Sequence, residues 1–448
     1  MRMHTLLSVR APTDWVQFLA SLFGAAALAL IASGCTTTRP CGTVCAQAQQ
    51  EATQPAASKA PFLPYRIRLE READHALIEA FRPLVRRHHR QERTIQEREE
   101  CGRYETVDLL ALSSGGVYGA YGAGFLVGWS KRNASLGDAR PIFDIVTGVS
   151  TGAILAPFAF LGSSYDASLQ LEYGTNGLSD AELVRKRSVL ALLSADSLYS
   201  VNGIRALLEH YIDDAFIDKV AVESEKCGRG LFVGATSLDS GEFTIFDLAA
   251  LARKKDLPDR RKLFIDAILA AAAIPIVFPP VFIDGEMFVD GGVREHVFVP
   301  LLAKYYRLAA EAEGVTLPPR TLYMFLNSDL AVPATCTGHG LITIGGRSFN
   351  VIVDQLFKES SFRLAYAAQV EGLRLKAVDA ANLPCPRKSD SNDVFDADFS
   401  RCLFSHAAER AQQPDIAWKT QLQDIYGEFA TPQRWKWGTG TIVNSCKP

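Results

Sequence analysis

The segment from residue 141 to residue 156 constrains the fold of this chain more than any other. An apolar run that ends at Val146 is typical of a buried strand, and the run after Gly152 is helix-like. Between the two runs stands a Gly-x-Ser-x-Gly motif made of Gly148, Ser150 and Gly152. A serine at such a tight strand-to-helix turn is a nucleophile elbow, in which the turn raises the hydroxyl clear of the sheet. The segment therefore predicts an α/β fold with Ser150 as its candidate nucleophile.

A second strand-to-helix junction lies upstream. Residues 107–112 are typical of a buried strand, and residues 120–129 predict a helix of small residues, with Gly115, Gly116 and Val117 in the loop between them. The backbone N–H groups of such a loop can bind a dinucleotide phosphate or the oxyanion of an acyl-transfer intermediate. A dinucleotide site requires an acidic residue about twenty residues further on, at the end of a second strand. Since that interval leads here into the elbow, we interpret the loop as an oxyanion hole.

A third segment supplies a candidate base. Asp284 and Gly285 stand between two apolar runs, which is a strong signal for a β-hairpin turn. The hairpin would place Asp290 at the end of its second strand, followed by Gly291 and Gly292. In isolation an Asp-Gly-Gly motif is more often a plain turn than a catalytic group. The significance of Asp290 therefore depends on the other two segments.

Together these segments resemble the patatin-like phospholipase family, also called patatin-like acyl hydrolases. The resemblance spans roughly residues 105–300 and includes two further segments, 235–242 and 274–280, in the family's order. It implies a three-layer α/β/α sandwich with a central, mostly parallel sheet. It also implies a catalytic dyad without histidine, in which Ser150 is the nucleophile and Asp290 the base. The implied reaction is hydrolysis of the acyl esters of membrane lipids through an acyl-enzyme, without a metal or organic cofactor.

Three departures from the family pattern leave alternatives open. Ser114 stands at the first glycine of the usual triple, and Tyr118 stands where many bacterial members carry arginine or lysine. His296 follows the Asp-Gly-Gly motif where the family often has asparagine. The order serine, aspartate, histidine also fits an α/β-hydrolase triad, so an esterase that uses His296 or His406 is one alternative. A lipid-binding or envelope scaffold lipoprotein with little turnover is the other.

The N-terminal segment resembles a bacterial lipoprotein signal peptide. Arg2 and Arg10 precede an apolar stretch over residues 15–31, and the four residues that end at Cys35 resemble a lipobox. We expect cleavage before Cys35 and acylation of that cysteine, which would anchor the protein to the bilayer of a bacterial cell envelope. The threonine after Cys35 suggests the outer membrane. An uncleaved anchor or a plain signal peptide is the alternative.

The composition indicates one large α/β domain with appendages. The 448 residues carry a net charge of -3 and are 48% hydrophobic, so the chain has no basic face for nucleic acid. Within the domain, residues 321–327 predict another buried strand and residues 348–376 a long amphipathic helix. We predict five regions: a signal peptide (1–34), a disordered tether (35–64), a charged helical segment broken near Pro83 (65–102), the catalytic domain (103–413) and a C-terminal extension (414–448).

The cysteines indicate an oxidising compartment. Nine are present, and the eight besides Cys35 are an even number, which in an exported protein permits disulfides. None shows zinc-finger spacing, so we expect no metal site. Cys385 and Cys402 flank a segment too polar to order itself, and we predict a disulfide between them.

Overall fold

The fold is described from a computed structural model of the protein. It describes residues 65–68, 74–88, 101, 106–178, 185–186, 197, 199–330, 337–386 and 396–425. The predicted signal peptide, the tether, Cys35 and most of the C-terminal extension lie outside these ranges. No helix within the described ranges has the length and apolar character needed to cross a bilayer.

A nine-stranded sheet forms the centre of the molecule. Its strands are β1 (Arg66–Arg68), β2 (Val107–Leu112), β3 (Ile145–Val149), β6 (Gly230–Ser237), β7 (Phe243–Asp247), β8 (Val281–Ile283), β9 (Glu286–Asp290), β10 (Arg320–Leu326) and β11 (Arg374–Asp379). The main path runs β1-β7-β6-β3-β2-β10-β11, and β9 pairs with both β6 and β8. The pairs from β6 through β3, β2 and β10 to β11 are parallel, whereas those of β1, β7, β8 and β9 are antiparallel. Two short strands, β4 (Arg185–Lys186) and β5 (Tyr199–Ser200), form a separate ladder.

Eleven α-helices stand in the described part of the chain. They are α1 (Asp74–His88), α2 (Gly119–Ser130), α3 (Thr151–Leu161), α4 (Asp166–Leu169), α5 (Asn202–Tyr211), α6 (Asp214–Cys227), α7 (Leu248–Ala252), α8 (Arg260–Ala271), α9 (Pro300–Ala312), α10 (Leu341–Val370) and α11 (Ala397–Gln412). Short 3-10 helices include Gly116–Tyr118 and Gly291–Val293, and residues Gln170–Asn176 form a π-helix.

Two apolar cores cover the two faces of the sheet. Along β2, Leu110 and Leu112 face a core that also contains residues of α2, α3, α8 and α11. Leu109 and Ala111 face the other core, with residues of α1, α9 and α10. Side chains alternate between the faces of a strand, so a strand covered on both faces is mostly apolar, and in β2 only Asp108 departs from this pattern. This arrangement confirms the predicted α/β/α sandwich with a mostly parallel sheet.

The first described segment differs from the sequence-based expectation. The predicted helical segment begins instead with β1, which pairs with β7 at the edge of the sheet. The predicted break near Pro83 is also wrong, because α1 runs through that residue. Proline removes one helical hydrogen bond, but the helix buries Phe81, Leu84 and Val85 in the core. Packing therefore outweighs the local preference.

The long amphipathic helix is also shifted from its predicted range. It extends from Leu341 to Val370, and residues 374–376 belong instead to β11. Gly372 ends the helix with a φ of 66°, a conformation that favours glycine. The N–H of Leu373 then donates to the carbonyl of Ala368 at 2.8 Å, which closes the turn. Gly372 thus lay inside the predicted helix and was the sequence signal for the end of the observed one.

Two disulfides link distant parts of the described chain. The predicted bond between Cys385 and Cys402 is confirmed. A second bond, which the sequence did not single out, joins Cys101 to Cys227 at the end of α6. Because 126 residues separate its cysteines, this second bond removes many conformations from the unfolded chain.

Candidate active site

Ser150 stands between β3 and α3 in a conformation typical of a nucleophile elbow. Its φ is 55° and its ψ is -125°, and its N–H donates to the carbonyl of Ala271 at 2.9 Å. Both flanking glycines are required by close packing. A Cβ at Gly148 would lie 2.2 Å from the carbonyl oxygen of Gly152, and one at Gly152 would lie 2.3 Å from that of Leu112. The motif therefore provides the tight turn that the sequence predicts.

Asp290 is the last residue of β9, as the predicted hairpin requires. The turn residues Asp284 and Gly285 have φ values of 52° and 81°, as in a type I′ turn. Asp290 pairs with Ala235 of β6, and its N–H donates to the carbonyl of Ala273 at 2.9 Å. The end of the Ala-rich helix α8 thus bonds to the backbones of both candidate catalytic residues.

The Asp290 carboxyl lies beside the Ser150 hydroxyl and is buried. Its Oδ1 accepts the N–H of Gly292 at 2.7 Å, whereas Oδ2 is buried without a hydrogen-bond partner among the described residues. Burial raises the pKa of Asp290 to about 6, and this effect outweighs the nearby Ser150 side chain and the hydrogen bond from the Gly292 backbone, which both lower it. Gly291 has no room for a side chain, since a Cβ there would lie 2.3 Å from the carbonyl oxygen of Gly234.

The predicted oxyanion loop lies at the same site. Gly116 and Val117 begin a 3-10 helix, where backbone N–H groups have no acceptor within the helix. Gly116 borders the same cavity as Ser150. Gly115 has a φ of 153°, and a Cβ there would lie 1.8 Å from the carbonyl oxygen of Asn327. These positions suit backbone donors for a negatively charged oxygen near Ser150.

An apolar cavity opens at Ser150. Besides Ser150 and Gly116, it is lined by Thr151, Ile154, Tyr173, Leu178, Ile204, Leu207, Leu208, Ala272, Ile274 and Phe278. A neighbouring cavity shares the side chains of Ile154, Tyr173, Leu207 and Leu208 and extends towards Leu169 and Tyr211. Such walls suit a hydrocarbon chain rather than a polar ligand. Sequence reasoning missed these residues because α5, the π-helix and α8 come from separate parts of the chain.

The two histidines of the alternative triad make contacts with residues other than Ser150. His296 shares a hydrogen bond with the Ser114 side chain through its Nδ1, and its Nε2 is buried without a partner in the described part of the chain. Burial lowers the pKa of His296 to about 4. His406 lies on α11 with a 37% exposed side chain, 3.8 Å from Glu409. Neither ring is hydrogen-bonded to Ser150 in the described structure, so the geometry favours the dyad.

Sequence reasoning also missed Asn327, which follows β10. Its backbone N–H donates to the Oγ of Ser113 at 2.8 Å, and its side-chain Nδ2 donates to the Ser113 carbonyl at 2.8 Å. Tyr118 also contacts the segment after β10, because its hydroxyl donates to Asp329 at 2.8 Å. A polar residue at the end of a predicted strand was the available signal, since parallel strands bring their carboxyl ends to one edge of the sheet.

One comparison with known proteins matches the part of the chain that contains this site. Residues 110–303, a little under half of the chain, match the family model described as patatin-like phospholipase. The match contains the oxyanion loop, Ser150 and Asp290. Among solved structures, VipD from Legionella pneumophila aligns with 12% sequence identity and a TM-score of 0.28, over 69% of this chain and 67% of that chain. No curated protein matches.

Proposed function

We propose that this protein hydrolyses the acyl esters of lipids through a Ser150–Asp290 dyad, because residues 110–303 match the family model of patatin-like phospholipases, a family of lipid acyl hydrolases. The observation that carries the proposal is the buried Asp290 carboxyl beside the Ser150 hydroxyl. With a pKa of about 6, Asp290 is mostly ionised at neutral pH but binds a proton more tightly than an ordinary aspartate. Those are the properties that a general base requires.

In the proposed first half-reaction, the Ser150 Oγ attacks the ester carbonyl carbon while Asp290 takes the hydroxyl proton. The negative charge that develops on the carbonyl oxygen is stabilised by the N–H groups of Gly116 and Val117, with Gly115 as a further candidate donor. When the tetrahedral intermediate collapses, the bond to the leaving oxygen breaks. Asp290 returns its proton to that oxygen, and an acyl-Ser150 ester remains.

In the proposed second half-reaction, water replaces the alcohol. The water oxygen attacks the acyl carbon while Asp290 takes a proton from the water, and the same N–H groups bind the second oxyanion. Collapse releases the carboxylic acid, and the proton returns to the Ser150 Oγ. No other proton carrier is needed, because one carboxylate acts first as base and then as acid in each half.

The apolar cavity supports a lipid as the substrate. Its walls at Ile154, Leu207 and Phe278 begin next to Ser150, where the acyl carbon of a bound ester would lie. Burying each methylene of a chain there would contribute about 0.8 kcal/mol to binding. The proposed substrates are therefore esters with a hydrophobic acyl chain, the class to which membrane lipids belong.

We further propose that the protein acts at a membrane of the bacterial cell envelope, anchored through acylated Cys35. The support is the sequence alone: an apolar stretch followed by small residues and a cysteine. Several acyl chains would make this anchoring stable, whereas a single chain is marginal. The proposed anchor would hold the active site close to its substrate.

The full chain in detergent micelles tests the proposed activity. Separate samples of wild type and Ser150→Ala are incubated with a fluorophosphonate probe or, without the probe, assayed against phospholipids, lysophospholipids, triacylglycerols and small esters. We expect the probe to label wild type alone, and we expect wild type alone to release fatty acid. Wild-type protein that is folded but neither labelled nor active on any class would support the scaffold alternative.

A further inference from the structure

Two of the three departures from the family pattern, Ser114 and His296, contact each other. The Ser114 hydroxyl and the Nδ1 of His296 share a hydrogen bond, and both side chains are buried. The backbone N–H of Ser114 also donates to the carbonyl of His296 at 2.8 Å. A glycine at position 114 could form only the backbone bond. The serine and the histidine therefore form a two-point connection between the oxyanion loop and the segment after Asp290.

The other side of the oxyanion loop is held by β10. Asn327 makes two hydrogen bonds to Ser113, and the backbone of Gly115 packs against the Asn327 carbonyl. Ser114 lies between these two residues and is held by His296. The loop is thus fixed from both sides immediately before Gly116, where the proposed oxyanion donors begin.

His296 is itself fixed in place from α10. Its backbone N–H donates to the Ser360 hydroxyl at 3.1 Å, and its ring lies 5.4 Å from the ring of Phe357. The ring also lies next to Gly292, because a Cβ placed at Gly292 would be 3.0 Å from both the His296 Nδ1 and the Asp290 Oδ1. The imidazole therefore fills the space between the loop that carries the base and the loop that carries the oxyanion donors.

We propose that His296 is a positioning residue, which through Ser114 holds the oxyanion loop in register with Ser150 and Asp290. The inference rests on the proposed function, since a fixed oxyanion loop matters for an acyl-transfer reaction. His296 acts as a neutral hydrogen-bonding group, because burial keeps its pKa well below neutrality. Its role is to set where the N–H groups of Gly116 and Val117 point, and it transfers no proton in the reaction.

Interactions made only in the transition state change kcat and leave KM unaltered. Losing the Ser114–His296 bond should therefore lower kcat by about tenfold, which is less than the loss of a whole oxyanion donor. Because both residues act through one bond, Ser114→Ala, His296→Ala and the double variant should all lose about the same amount. His296→Asn should recover most of the rate, because its amide can occupy the position of Nδ1.

The test is a double-mutant cycle on the full chain, with His406→Ala as the matched control for loss of a histidine outside the site. The kcat and KM are measured on the best ester from the lipid screen, and thermal unfolding confirms that each variant folds. Amide hydrogen exchange of residues 113–118 is measured in parallel. We expect faster exchange there in Ser114→Ala and His296→Ala, with little change in His296→Asn or His406→Ala.

The outcomes separate the two proposals. If wild type hydrolyses an ester but the single variants keep its kcat, or their losses multiply in the double variant, the positioning role is wrong. A loss of kcat in His296→Ala as large as that in Ser150→Ala would make His296 the base and would also overturn the positioning role. Unchanged hydrogen exchange of residues 113–118 in the variants would overturn it as well. If wild type hydrolyses no ester while the exchange pattern follows expectation, the proposed activity is wrong. The structural part of the inference, that His296 holds the oxyanion loop through Ser114, is then supported.

Discussion

Ser150 and Asp290 are held by the same helix terminus. The N–H of Ser150 donates to the carbonyl of Ala271 and the N–H of Asp290 to that of Ala273, each at 2.9 Å. These carbonyls lie at and just beyond the end of α8, where helical carbonyl groups lack partners within the helix. Because the candidate nucleophile and the candidate base lie at the ends of different strands, this shared support fixes the distance between them.

The first prediction concerns the dyad. Asp290→Asn keeps the shape of the side chain but removes its basic oxygen, so kcat/KM should fall on the order of 10³-fold, as it should in Ser150→Ala. Both variants should retain the wild-type circular dichroism spectrum. His296→Ala and His406→Ala should each stay within about tenfold of wild type, a barrier change of roughly 1.4 kcal/mol. If either histidine variant matched Ser150→Ala with its fold intact, a triad esterase would be the correct mechanism.

The second prediction concerns the pH dependence of the rate. Asp290 must be ionised to accept a proton, and its pKa is about 6. The kcat/KM should therefore be constant near neutral pH and should fall about tenfold per pH unit below about pH 6. A pH series on a soluble ester in micelle-free buffer measures this. An acid limb near pH 4, the range of an ordinary aspartate, would contradict a buried base.

The third prediction concerns stability, where the sign follows from the same pKa. Asp290 has a folded-state pKa near 6, above the value of 3.8 in the unfolded chain. The folded protein then binds more protons between these values, so its free energy of unfolding decreases as the pH rises from about 4 to 6. Asp290→Asn lacks this loss. Its free energy of unfolding should therefore increase by about 2 to 3 kcal/mol relative to that of wild type over that interval.

Denaturant unfolding of both proteins at pH 4 and pH 8 measures this difference. Comparing the two proteins is necessary because burial also raises the pKa of Asp108 to about 6, and that contribution cancels in the difference. An unchanged difference between the two pH values would show that Asp290 is solvated in the folded state.

The fourth prediction concerns Gly115. A Cβ at this position would lie 1.8 Å from the backbone oxygen of Asn327, so Gly115→Ala must displace the oxyanion loop or β10. We expect a loss of about 2 kcal/mol or more in unfolding free energy, together with a large drop in kcat. Gly314→Ala is the control, since Gly314 has a φ of 67° but open space around it. Equal losses in the two variants would attribute the effect to backbone strain alone.

The fifth prediction concerns Cys35. Cys35→Ala removes the site of acylation, so the variant should leave the membrane fraction and should lack the lipid mass. Fractionation after a high-salt wash and intact-protein mass spectrometry measure both effects. If the variant stays in the membrane fraction after the wash, the apolar stretch at residues 15–31 is an uncleaved anchor.

The sequence predicted the elements whose signals are local. The strand at residues 107–112 was predicted with its observed bounds, because a strand buried on both faces is apolar at nearly every position. The hairpin was predicted from Asp284 and Gly285, which adopt the positive φ values that such a turn needs. The continuation of the helix through Pro83 was not predicted, because the packing that stabilises it involves residues far along the chain.

The candidate site also contains residues with local sequence signals and residues without them. The elbow at Ser150 and the strand end at Asp290 have local signals, and the resemblance to a family indicated that they act together. The cavity walls have none, because they depend on how separate elements meet. The hydrogen bonds between Asn327 and Ser113 have only the weak signal of a polar residue at a strand end. The contact between Ser114 and His296 was equally hidden, although each was noticed separately as a departure from the family pattern.

The strand order also determines when this site can form. The central strand β2 pairs with β3 on one side and with β10 on the other. A chain that emerges from its N-terminus therefore leaves one edge of β2 open until β10 has emerged, long after Ser150. Asn327 follows β10 directly, so the loop after β2 gains its second support only at that stage. The candidate nucleophile is therefore synthesised early, whereas the predicted oxyanion loop is supported on both sides only late in synthesis.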